Sequence, residues 1–148
     1  KSKKKSYKNK INPSTKTFQA LRIFVNKEIT ELVNGIISAA KILKPGGRIL
    51  VISFHSIEDR IVKYFFNNFS SARAKPSRYL PENDGSNNPL FEKYKNKILK
   101  PSNTELKKNL ASRSAKLRYA TRNTNKFVYP VELINKFKKY LDLERSHA

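Results

Sequence analysis

The chain of 148 residues carries 32 lysines and arginines against 11 aspartates and glutamates, a formal charge of +21, with no cysteine and only two histidines. That composition excludes disulfides, thiolate zinc sites and a cysteine nucleophile, and makes a polyanion, nucleic acid first, the natural partner. No apolar run approaches the roughly 20 residues of a membrane-spanning helix and no signal-peptide pattern is visible, so a cytoplasmic location without a membrane partner is expected.

The sequence starts on Lys1 and holds no methionine, and it reads as a fragment or a processed piece. Lys1 to Lys10 holds six lysines and no apolar pattern, so residues 1–12 read as a mobile basic segment, either a solvated tail or an RNA-contacting arm. After Asn12-Pro13-Ser14 a helical pattern begins: Phe18, Leu21, Val25, Leu32, Ile36, Ala39 and Leu43 recur at helical spacing and are expected to face the core. Gly35 costs about 1 kcal/mol relative to alanine in a helix interior, which leaves two helices or a kink open. Pro45-Gly46-Gly47 then feeds Ile49 to Ile52, an apolar and largely β-branched run that suits a strand covered on both faces. Ser56 is the expected cap of the next helix, with Glu58 and Asp59 in its positive first turn and Ile57, Ile61, Phe65 and Phe69 as its buried stripe.

From Ser70 to Pro89 the composition shifts to that of a long surface loop. Lys97 to Leu99 and Ala115 to Ala120 read as an antiparallel hairpin interrupted by a helical turn, with Ser102 as its cap and Glu105 three residues on. Pro130 starts a last helix on which Ile134, Phe137 and Leu141 share a face, and residues 123–148 form a linker followed by this helix.

Chemistry concentrates in two places. His55 stands at the carboxyl end of the strand, where open α/β sheets place their sites, and is a candidate base or substrate-orienting group or, equally, a structural histidine closing the strand. In Ser112-Arg113-Ser114-Ala115-Lys116-Leu117-Arg118, small hydroxyls separate Arg113, Lys116 and Arg118, a composition suited to phosphate contact or to a plain solvated face. In a strand Lys116 and Arg118 share one face, with Leu117 expected toward the core. Tyr94 and Tyr119 are candidates for base stacking or for packing. Of the four glycines, Gly46-Gly47 precedes its strand, and no glycine-rich phosphate loop follows one, so a cofactor loop must lie outside this chain.

Four blocks occur in order: Thr17 to Ile23, Leu43 to Arg48, Ile52 to Arg60, and Ser112 to Arg118. Together, over about Asn12 to Arg122, they closely resemble the small-subunit ribosomal RNA methyltransferase H family. The resemblance implies the C-terminal portion of a Rossmann-like α/β methyltransferase domain dependent on S-adenosylmethionine, spanning residues 13–122. In it, 13–29 is the exit of an inserted helical domain and Ile49 to Phe54 a late parallel strand. It further implies N4-methylation of a cytidine in 16S ribosomal RNA or the small ribosomal subunit, with Phe54, His55, Arg113, Lys116 and Arg118 as substrate-side residues. The main S-adenosylmethionine-binding residues are then expected in an N-terminal half, no metal is expected, and this chain alone is expected to be inactive. A homodimer of the complete protein is left open. The family usually has Asn-Pro-Arg where this chain has Asn109-Leu110-Ala111. Absence of cysteine suits an exocyclic amine, which attacks a methyl sulfonium directly, better than a ring carbon, which calls for a thiolate. The rival reading is a basic RNA-binding or ribosome-associated module without catalysis.

Overall fold

The computed structural model of the chain describes residues 13–71 and 88–145, so the expected basic segment and most of the expected polar loop lie outside the described residues. Within them the order is α1 (Pro13–Val25), α2 (Glu28–Ile42), β1 (Arg48–Ser53), α3 (Ser56–Asn68), α4 (Asn103–Lys108), a 3-10 turn (Leu110–Ser114), β2 (Lys116–Thr121) and α5 (Val131–Arg145). This is a mixed α/β arrangement, with α2, α3 and α5 enclosing one core against a two-stranded sheet.

The first helical pattern does divide, but at Asn26-Lys27 and not at Gly35. Lys27 has φ 51°, a left-handed conformation that a helix cannot continue through. Gly35 lies inside α2 with open space where a Cβ would project. The left-handed residue redirects the chain, and of the expected stripe only Ile36 is buried, with Leu32, Ala39 and Leu43 half-buried against the core. Ile29, Val33, Ile36, Ile37 and Ala40 are buried, whereas Phe18, Leu21 and Val25 are 71%, 53% and 72% exposed. From α1, Ile23 packs against the core.

No side chain of its own caps α2. Glu144 of α5 takes that role from across the sequence, accepting from the amides of Ile29 (3.1 Å) and Thr30 (2.8 Å) and from the Thr30 hydroxyl (2.6 Å). A carboxylate there satisfies orphan amides and sits at the positive end of the helix. Buried Arg122 plays a similar tying part, donating to the carbonyls of Ala40 (3.3 Å), Leu90 (2.8 Å) and Asn125 (2.6 Å). A guanidinium with several fixed donors can close three chain segments around one point.

The turn into β1 is Lys44-Pro45-Gly46-Gly47, closed by the Gly47 amide on the Lys44 carbonyl at 3.0 Å. Gly46 has φ 80°, which a type II turn requires at its third position, and Pro45 presets the second. β1 then pairs antiparallel with β2, from Arg48↔Thr121 to Ser53↔Lys116. Among the described residues β2 is the strand paired with β1. Lys97 to Leu99 contributes one bridge, Leu99↔Leu117, on the far edge of β2 in place of a full hairpin strand. Asn96 at φ 52° and Pro101 bracket this segment, which leaves little extended backbone able to pair.

The expected cover on both faces of β1 is also corrected. Ile49 and Ser53 are buried on the α3 side, while Leu50 and Ile52 are 62% and 59% exposed. Alternation along a strand sends these residues to opposite faces, and the described helices occupy one of them. Under that face Phe65, Phe66 and Phe91 meet edge to face, Phe91 lying 5.2 Å and 5.3 Å from the other two ring centres. α5 adds the expected Phe137 and Leu141 together with Leu133, while Ile134 is only half-buried against the core.

Candidate functional site

β1 ends beside the start of β2, and the chain leaves it through Phe54 and His55 into α3. Ser56 is already helical, so His55, with φ −130°, holds the cap position expected of Ser56. His55 Nδ1 accepts from the Glu58 amide at 3.3 Å. In return, Glu58 Oε2 accepts from the amides of Phe54 (2.8 Å) and His55 (3.2 Å). This reciprocal box satisfies three amides at once and fixes the direction in which the chain turns off the sheet.

The cap decides the chemistry of the imidazole. With Nδ1 accepting, the neutral ring carries its proton on Nε2. Nε2 is buried, 3.3 Å from Glu58 Oε1 and 3.8 Å from Glu28 Oε2, without the alignment of a hydrogen bond to either. Glu28 is clamped by Arg22, whose Nε and Nη2 donate to it at 2.8 Å and 3.1 Å. Burial pushes the Glu28 carboxyl up, but Arg22, Asn26 and the field of His55 outweigh it and hold it below the usual glutamate range. Glu28, His55 and Glu58 place one donor atom each within 4.8 Å of one another, a set with the chemistry of a divalent-cation site. While the cap is intact, however, the imidazole meets the two acids as a proton donor and not as a lone pair. Its geometry is that of a structural hinge pin whose ring edge borders an open groove.

That groove gathers Phe54, His55, Ser56, Lys100, Arg113 and Lys116, with Ser114 and Ala115 also lining it. Four of the five expected substrate-side residues therefore converge. Arg113 is exposed and has no ion pair among the described residues, which leaves its guanidinium available to an anion. Lys116 is half-exposed and shared with Asp59 Oδ2 at 3.3 Å. Lys100 was not singled out by its sequence pattern. The Leu99↔Leu117 bridge brings it there, and nothing local in the sequence reports that pairing. Phe54, 54% exposed, also borders a neighbouring apolar depression formed by Ile52, Leu99, Pro101 and Leu117.

Arg118, the fifth, points the other way. It is 2% exposed and bidentate to Asp59, Nε to Oδ1 at 2.8 Å and Nη2 to Oδ2 at 3.2 Å. Its Nη1 donates to the Tyr94 hydroxyl at 2.9 Å and to Asn96 Oδ1 at 3.0 Å. The shared face of Lys116 and Arg118 is thus the α3 face, and Leu117 lies on the outer one, the reverse of the expected assignment. Asp59 on α3 captures the guanidinium, which makes inward placement of an arginine favourable. Burial raises the Asp59 carboxyl, and the hydrogen bonds and charges of Arg118 and Lys116 outweigh this, holding it below the usual aspartate range. Arg118 is enclosed by this network and unavailable to a nucleic acid, Asp59 is its half-buried partner more than a helix-end charge, and Tyr94 packs.

Among the described residues no turn of the glycine-rich, nucleotide-binding kind follows a strand: Gly46-Gly47 leads into β1 and Gly35 is helical.

A family model described as the MraW methylase family matches residues 1–123. Over 114 residues the chain is 51% identical to the ribosomal RNA small subunit methyltransferase H of Bartonella grahamii, covering 77% of this chain and 34% of that protein. To the protein of the same name from Caulobacter sp. strain K31 it is 44% identical over 115 residues, 78% and 36% of the two chains. To that of Xanthobacter autotrophicus it is 46% identical over 120 residues, 81% and 34%. The chain spans about a third of the length of these curated relatives. An S-adenosylmethionine-type methyl donor is what such a family implies. With four sequence blocks, an α/β arrangement and a model match over most of its length, this chain belongs to the MraW methylase family.

Proposed function

We propose that this chain is the substrate-side part of an S-adenosylmethionine-dependent methyltransferase that modifies N4 of a cytidine in 16S ribosomal RNA, in the cytoplasm. The observation that carries this reading is the groove at the carboxyl end of β1, where an exposed aromatic ring, a buried imidazole edge and the cations of Lys100, Arg113 and Lys116 meet. Such a groove suits a base held against Phe54 with its flanking phosphates on Arg113 and Lys100. His55 and Glu58 hold Phe54 in place through its amide, so their part is positioning. Methyl-donor binding belongs to residues outside this chain, in a Rossmann-like domain that β1 and β2 complete. A non-catalytic RNA-binding module is disfavoured, because the relatives are named as methyltransferases.

A methyl-transfer assay on small-subunit RNA tests the proposal, comparing this chain with a protein in which it follows the N-terminal two-thirds of a relative. Transfer is expected only in the joined protein, with N4-methylcytidine as the product after nuclease digestion. Transfer by this chain alone, or methylation of a ring carbon, would overturn it. In the joined protein Phe54→Ala is expected to lower kcat/KM by at least about fivefold, given the roughly 1–3 kcal/mol of a base-stacking contact.

A further inference from the structure

A second basic surface lies at the opposite end of β2. Residues 92–97 run along its outer side, and Lys93, Lys95 and Lys97 line an open groove with Tyr119, Thr121 and Glu92. Their arrangement follows from the buried arginine. Tyr94 and Asn96, the alternate residues, both accept hydrogen bonds from Arg118 Nη1, and the Glu92 amide donates to the Thr121 carbonyl at 2.9 Å. The three lysines line the groove, and all three are exposed. None has an ion pair among the described residues. One carboxylate, Glu92, faces three ammonium groups.

Tyr119 completes the chemistry. It sits on the outer face of β2 opposite Leu50, 37% exposed, with its ring forming a wall of the groove. Three unpaired ammonium groups beside an accessible aromatic face make the combination by which single strands are held without sequence readout. An acidic protein surface would use the lysines but would have no use for the ring. Lys116, in the first groove, and Thr121, in the second, are five residues apart on one strand, roughly 16 Å. We propose that Lys93, Lys95, Lys97 and Tyr119 form a second contact for single-stranded RNA, holding the strand that flanks the segment in the first groove. The inference rests on the RNA-directed reading above and adds a site to it.

The test uses the full 148-residue chain and a labelled single-stranded RNA oligonucleotide, with binding followed by fluorescence anisotropy across a salt series. Replacing the three lysines together by glutamine is expected to lower the slope of log affinity against log salt by about 2, at roughly 0.7 per lost phosphate contact. The triple arginine variant keeps the slope. Tyr119→Leu weakens binding about fivefold or more at an unchanged slope, because stacking is lost and charge is not. Far-UV circular dichroism verifies that each variant is folded. If the triple glutamine variant binds with the parent slope while Arg113→Gln with Lys100→Gln loses affinity, the second surface is refuted and the first groove stands. If the parent binds no RNA at low salt, both fall. Equal competition by poly-glutamate and by unlabelled RNA would refute the RNA assignment in favour of an acidic protein.

Discussion

Arg113 and Arg118 are five residues apart and have opposite environments. Arg118 is closed in by Asp59, Tyr94 and Asn96, whereas Arg113 stands exposed at the mouth of the groove. Arg118→Ala leaves a largely buried carboxylate short of its main partner and is expected to cost about 3 kcal/mol, read from urea denaturation. Arg113→Ala should change stability by no more than about 0.5 kcal/mol and weaken RNA binding instead. The ion pair also sets an acid limit. The folded pKa of Asp59 lies below its unfolded value, so its contribution is present above the unfolded pKa, about 3.9, and is lost as pH falls through the folded one. Asp59→Asn should remove this part of the acid-side slope between about pH 4 and lower values, while lowering stability at pH 7; an unchanged slope would count against the pair.

Each helix start solves the same problem differently. α3 uses the local box of His55 and Glu58, α4 uses Ser102, whose hydroxyl accepts from the Glu105 amide at 3.2 Å, and α2 borrows Glu144 from the other end of the chain. The first two are short-range patterns, and the Ser102 cap was legible in the sequence. The α3 cap was legible as a cap but not in its residue, because serine is the stronger capping type and the backbone places His55 there. Glu144 was invisible to sequence reasoning: it lies three residues after Leu141 on an apolar helix face, and its partners are more than a hundred residues away. Glu144→Ala is expected to cost about 1–3 kcal/mol, since two amides lose their acceptor in a buried setting. Hydrogen exchange should quicken at Ile29 and Thr30 more than elsewhere in α2; uniform loss of protection would argue for a general packing defect.

Across the molecule, apolar surface is divided unequally. Phe66, fully buried against Phe65, Phe91 and Tyr94, and Phe18, exposed on α1, are both phenylalanines on helical stripes. Phe66→Ala is expected to cost about 3–5 kcal/mol through lost burial and the cavity left behind. Phe18→Ser should cost no more than about 0.5 kcal/mol in this chain. Thermal unfolding of the two variants side by side checks the difference, and similar losses would mean that α1 is packed in solution. No described helix is long and apolar enough to cross a membrane. Two grooves at opposite ends of β2 each gather three cations, Lys100, Arg113 and Lys116 in one and Lys93, Lys95 and Lys97 in the other.

The sequence by itself determined the helix periods of α2, α3 and α5, the turn at Pro45-Gly46, and the family. Those depend on residue spacing and on local conformational limits. It also brought Phe54, His55, Arg113 and Lys116 forward as candidates. Tertiary structure alone decided which way β2 faces, because Lys116-Leu117-Arg118 alternates in either orientation and the half-buried Asp59 on α3 selects one. It likewise decided that α1 turns away at Lys27, that Lys100 joins the groove and that Lys93, Lys95 and Lys97 line a second one together. For β2, for Lys100 and for the three lysines the deciding partner lies far along the chain, where spacing carries no information.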